Sequence, residues 1–173
     1  MRSDPKMFTL RPGQYKYFCE VDCHAAYTVT DVQTAKTLGE GGSRATASGI
    51  FYVVTLRTWF DEDTISSRRP PDLALWPNAR LAYAVDEAGN QYPTSLDGQK
   101  AMVASSVPLT HQLRPGESYK TVLVFDLPET VSNPRLLLAD RDLLTMLVIG
   151  HENSLLHKKI YFALSPTADV SQR

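Results

Sequence analysis

Two stretches of this chain hold residues that could do chemistry. In Cys19-Glu20-Val21-Asp22-Cys23-His24, two thiols and an imidazole lie within six positions. Deprotonated thiols with a histidine are soft donors, and they suit copper(I) or zinc. The same cysteines could instead form a disulfide or remain two buried free thiols. In a straight strand their spacing covers about 13 Å, whereas a disulfide needs Cα atoms within roughly 7 Å. A bridge between Cys19 and Cys23 therefore requires a turn at Glu20-Val21-Asp22. The second stretch is His151-Glu152-Asn153-Ser154, followed by His157-Lys158-Lys159. It begins like the HExxH motif, but Leu155 stands where the second histidine must lie one helical turn on to face the same metal. The stretch is read as a loop whose polar groups bond its own backbone. The metal alternative uses Cys19, Cys23 and one or more of His24, His151 and His157, and a surface site in which the three histidines converge is a separate reading.

Other polar clusters are weaker signals. Asp61-Glu62-Asp63-Thr64 offers oxygen ligands, yet it lacks the alternating spacing and the glycine of a calcium loop; a solvated strand end is the simpler reading. Arg68 and Arg69 precede two prolines and, with Trp76, form the candidate partner-binding set. Taken alone, Trp59 and Trp76 read as core or loop anchors. Ser154 lies near two histidines without a GxSxG elbow or an oxyanion-hole pattern, so no catalytic residue is assigned and no enzymatic activity is expected.

With 173 residues the chain has room for one domain and its core. Its 18 basic and 19 acidic side chains give a net charge of −1. That balance supplies no basic field, so nucleic acid is not an expected partner. There is no apolar run of membrane-spanning length, and the first ten residues lack the apolar centre of a signal peptide. No membrane contact by this chain itself is expected. The protein is either cytoplasmic or an ectodomain whose signal or anchor lies upstream of this chain.

The elements that would position these groups read as strands. From Leu113 to Pro128, a Pro-Gly turn leads into alternation, with Tyr119, Thr121, Leu123, Phe125 and Leu127 on one face. Pro128 cannot donate to a ladder and ends it. Residues 14 to 30 alternate as one long strand, or as two joined at Glu20-Val21-Asp22, with tyrosines and cysteines on the apolar parity and Lys16 and His24 on the polar one. Ile50 to Phe60 is a β-branched and aromatic strand. Asp61 to Asn78 is a long ordered loop, and Gly39 to Ser43 a surface loop. Arg80 to Asp86, with Leu81 and Val85 expected inside, and Gln91 to Thr94 flank a hairpin turn. Ser95 to Ser106 reads as a second loop, followed later by strands at Arg135 to Ala139 and Lys159 to Leu164. Leu143 to Ile149 is strand or short buried helix. The expectation is an all-β antiparallel sandwich of about seven or eight strands. A linker covers 1–13, the domain 14–165 and a tail 166–173.

The segments YFCEVDCHAAYTVTDV, VVTLRTWFDEDT, LAYAVDEAGNQY and LRPGESYKTVLVFDLP together resemble a family of bacterial immunoglobulin-like extracellular domains of unknown function. This group includes the mycobacterial immunoprotective extracellular protein. The likeness runs from about Gln14 to Leu164 and is most specific at the PGE turn, Phe125-Asp126 and Pro128. It implies an immunoglobulin-like sandwich and a non-enzymatic interaction or structural role outside the cytoplasm, periplasmic or at the cell surface. The partner would be a protein or a component of the cell envelope. The family has no established catalytic residues or cofactors, and copper or zinc enters only through the CxxxCH alternative. The CxxxCH and GHENSLLHKK segments depart from the general pattern.

Overall fold

Alternating apolar residues are stable only when one face of each strand is covered, and here two sheets cover each other. The computed structural model describes residues 8–17, 24–64, 74–140 and 159–166. One sheet has five strands in the order β1 (Phe8–Leu10), β9 (Ile160–Ala163), β8 (Arg135–Ala139), β5 (Leu81–Val85), β6 (Gln91–Pro93). The other has four, ordered β2 (Tyr15–Tyr17), β3 (Ala25–Leu38), β4 (Ala45–Phe60), β7 (Ser118–Leu127). All neighbours are antiparallel except β1 and β9, which run parallel. The expected sandwich is present, with nine strands among the described residues.

Between the sheets lies the main core, with Tyr27, Val29, Val54, Leu56, Leu123, Phe125 and Leu127 from one side. Ala84, Leu136, Leu138 and Phe162 meet them from the other. The apolar parities expected of β4, β7 and β9 are the buried ones. Leu81 and Tyr17, also expected inside, are only half-buried.

Several local expectations are corrected. Phe8–Leu10, placed in a linker at 1–13, forms β1, because residues from the far end of the chain supply its hydrogen-bonding partners. Local patterning cannot reveal such a pairing. Of the two readings of residues 14 to 30, the two-strand one is present: Tyr15 pairs with Thr28 and Tyr17 with Ala26 across an antiparallel ladder. β3 and β4 also run further than expected, meeting around the glycine turn at Gly39–Ser43. The loop expected at Ser95 to Ser106 holds a short helix, α1 (Leu96–Ala101), and a 3-10 turn at Val103–Ser105. Ser95 caps α1 by accepting from the Gly98 N–H at 3.2 Å. The segment Leu143 to Ile149 and the tail from Thr167 lie outside the described residues.

Because β2 is a strand of its own, its faces are the reverse of those expected. Tyr15 and Tyr17 point to the outer side while Lys16 is buried. Starting the strand one residue out of phase moves every side chain to the opposite face. The buried ammonium is accommodated by the Ile160 carbonyl, to which Nζ donates at 3.2 Å, and by the Phe162 ring, whose centroid is 5.7 Å away.

Candidate functional site

Of the residues singled out by chemistry, Cys19, Cys23, Arg68, Arg69, His151 and His157 lie outside the described residues. Among the described residues, no three His, Cys, Asp or Glu side chains are grouped to hold a metal ion. His24 lies at the start of the Asp61 to Asn78 segment, its carbonyl accepting the Asp61 N–H at 2.9 Å. Its side chain is not on an exposed polar face. It is buried, stacked on Phe60 with ring centroids 5.4 Å apart and planes 8° from parallel.

The acidic run beginning at Asp61 closes a strand end. The Asp61 carboxylate accepts the Asp63 N–H at 3.1 Å and the hydroxyl of Tyr17. That hydroxyl contact, helped by burial, pushes the Tyr17 phenol up to about 12, because deprotonation would set two anions against each other. Trp76 is no loop anchor: 62% of it is exposed. Its neighbour Leu75 is fixed by reciprocal backbone bonds with Leu113, at 2.7 and 2.9 Å. The indole is thus carried on a tied-down backbone.

A second aromatic group lies on the outer face of the four-stranded sheet. Cross-strand pairing sets Tyr17, Ala26, Trp59 and Ser118 in one row, and Tyr15, Thr28, Arg57 and Lys120 in the next. Tyr15 is 56% exposed and meets Trp59 edge-on, centroids 5.5 Å apart, and Tyr17 at 5.9 Å. The exposed Arg57 guanidinium stands 5.3 Å from the Trp59 ring, within cation–π range. Sequence reasoning missed this group, having put Tyr15 on the apolar parity of its strand and treated Trp59 as a core or loop anchor. The legible signal was Arg57 and Trp59 two positions apart on one strand, which places them on one face whatever its exposure.

A cleft of about 720 Å³ opens beside the start of the β4–β7 ladder, lined by Ser48, Gly49, Tyr92, Asp126, Pro128 and Glu129. Its polar groups are already engaged. Asp126 accepts the N–H groups of Ser48 and Gly49 at 2.8 and 3.0 Å, and the Tyr92 hydroxyl donates to Asp86 at 3.1 Å. Lys36 donates to the Gly49 carbonyl and pairs with Glu129 at 3.3 Å. This arrangement clamps β4 to the end of β7 where their antiparallel ladder begins, at Ile50 and Leu127.

No protein-family model and no curated protein matches the chain. Among solved structures it is similar to MPT63, a secreted protein from Mycobacterium tuberculosis, with a TM-score of 0.54 at 10% identity over 92% of this chain and 99% of that one. It is also similar to the yjhA protein from Bacillus subtilis, with a TM-score of 0.50 at 13% identity over 79% of this chain and 88% of that one. At such identities the likeness is one of fold: a β-sandwich of the kind MPT63 has. Among the described residues no helix is long and apolar enough to cross a membrane.

Proposed function

We propose that this protein is a non-enzymatic interaction module acting outside the cytoplasm, with a protein or cell-envelope partner. The observation that carries the reading is the outward-facing Tyr15, Arg57 and Trp59 group on a rigid four-stranded sheet. Tyr, Trp and Arg are the residue types that dominate binding energy at interfaces, and fixing them on paired strands lowers the entropy lost on binding. The exposed Trp76, seven positions after Arg69, is a second contact of the same character. The extracytoplasmic location is supported by the secreted neighbour of the same fold.

The test is retention of an envelope partner by immobilised protein. The Tyr15→Ala, Arg57→Ala double variant and the Arg68→Ala, Arg69→Ala, Trp76→Ala triple variant are compared with wild type. Loss of retention in either variant with little change in melting temperature is expected. Equal retention by both variants would refute these surfaces, and recovery of the native protein only in the cytoplasmic fraction would refute the location.

A further inference from the structure

β7 is a ten-residue strand at the edge of its sheet, and such an edge is a template for pairing with another chain. The other edge strands described, β1, β2 and β6, have three residues each. The outward-facing backbone groups of β7 belong to Lys120, Val122 and Val124, since the alternate residues bond to β4. Five of these six groups are bonded by the segment from Ser95 to Val107. The Ser95 N–H donates to the Val124 carbonyl at 2.7 Å, and the Val107 N–H donates to the Lys120 carbonyl at 3.1 Å. Ser106 Oγ accepts the Val122 N–H at 2.9 Å. The Gln99 side-chain amide accepts from the Val124 N–H and donates to the Val122 carbonyl. A single carboxamide thus takes the place that a peptide group of a further strand would occupy.

This cover is lightly held. Leu96 and Val103 point to solvent, 76% and 70% exposed. The apolar anchors of the cover are Ala101 and Met102, which pack partly on the outer patch of Phe51, Val53, Val122 and Val124, and Val107 at its far end, against Phe60, Leu113 and Tyr119. Gly98 is what lets α1 approach: a Cβ there would lie 2.5 Å from Val124 Cγ1. Elements with few apolar contacts are those that open at low free-energy cost.

Beneath the cover, the β7 edge is complementary to itself. In an antiparallel pairing of two copies centred on Leu123, Val122 of one copy faces Val124 of the other. Lys120 then faces Asp126 twice, an opposite-charge cross-strand pair at each end. The outer patches of the two copies become continuous, so apolar burial and charge favour the same register. We infer that β7 is a masked dimerisation edge, closed in the monomer by Gln99 and Ser106 and available to a second copy of this chain when that cover lifts.

Sedimentation velocity in reducing buffer, across a wide range of protein concentration, tests this. Wild type should stay monomeric. The Gln99→Met, Ser106→Ala variant removes the side-chain hydrogen bonds to the edge, leaving the backbone bonds of Ser95 and Val107, while keeping most side-chain volume, and its mass should double as concentration rises. Adding Lys120→Asp, which sets like charges opposite each other in the Leu123-centred register, should return it to monomer. If the double variant loses its far-ultraviolet strand signal, Gln99→Met alone carries the same comparison. A folded variant that stays monomeric would overturn the masked edge. Association that ignores Lys120→Asp, or that runs on to large aggregates, would overturn the register and with it the proposed dimer.

Discussion

Replacing Gly49 by alanine should be far more damaging than the same change at Gly42, although both glycines lie near the β3–β4 turn. A Cβ at Gly49 would lie 2.0 Å from the Leu127 carbonyl oxygen, 2.7 Å from its carbon and 2.9 Å from Pro128 Cα. All three are backbone atoms of the neighbouring chain segment at the end of the β4–β7 ladder, so no rotamer change relieves the contact. β4 must move away from β7 by about an ångström or more, an overpacking that costs about 1–3 kcal/mol. The same movement draws the Gly49 N–H from Asp126 Oδ1, now 3.0 Å away. A hydrogen bond to a charged carboxylate contributes about 1.5–3 kcal/mol, so the total loss is about 3–5 kcal/mol. For a chain of this size that lowers the melting temperature by roughly 6–20 °C. Gly42 has no atom within 4 Å of an added Cβ, and Gly42→Ala should stay within about 0.5 kcal/mol of wild type. Thermal and urea unfolding by circular dichroism measure both. If the two variants melted together, the clash and the clamp at Asp126 would both be wrong.

Phe125 is fully buried in the inter-sheet core, and Phe125→Ala should cost about 3–5 kcal/mol, read as a lower urea midpoint; an unchanged midpoint would contradict its place in the core. Tyr17 and Tyr119 are both pushed up to about 12 from an ordinary 10.0, Tyr17 mainly by its bond to Asp61 and Tyr119 by burial. A raised folded value means that their contribution is complete below pH 10 and is lost as pH rises through 12. Melting temperature should therefore fall across that window, with late phenolate absorbance; Tyr17→Phe should flatten part of the fall, and an identical profile would argue against the Asp61 contact. The Asp86 carboxyl is held below its ordinary 3.8 chiefly by the Asn90 side-chain amide, with Tyr92 also donating. Its contribution is present above that value and is lost as pH falls through the lowered folded one. Asp86→Ala should speed hydrogen exchange at the Asn90 amide, which donates to Asp86 at 2.8 Å, and unchanged protection would remove Asp86 from the hairpin.

Which segments are strands, and where the chain turns, was set by the sequence itself. Alternation from Tyr119 to Leu127 and the Pro115-Gly116 turn are local properties, and Gly116 adopts the left-handed φ of 79° that glycine tolerates best. The hairpin between Val85 and Gln91 was legible for the same reason. Tertiary structure decided which groups those strands expose. Tyr15 and Lys16 have a fixed alternation, but only the pairing of β2 with β3 determines that the tyrosine faces out and the lysine in. β1 exists because β9, some 150 residues later, lies beside it. His24 is buried because Phe60 crosses next to it. Gln99 looks like any polar loop residue until its amide meets the edge of β7. A side chain's parity follows from its own strand, whereas burial and edge pairing depend on partners distant in sequence, and those are chosen when the two sheets close on each other.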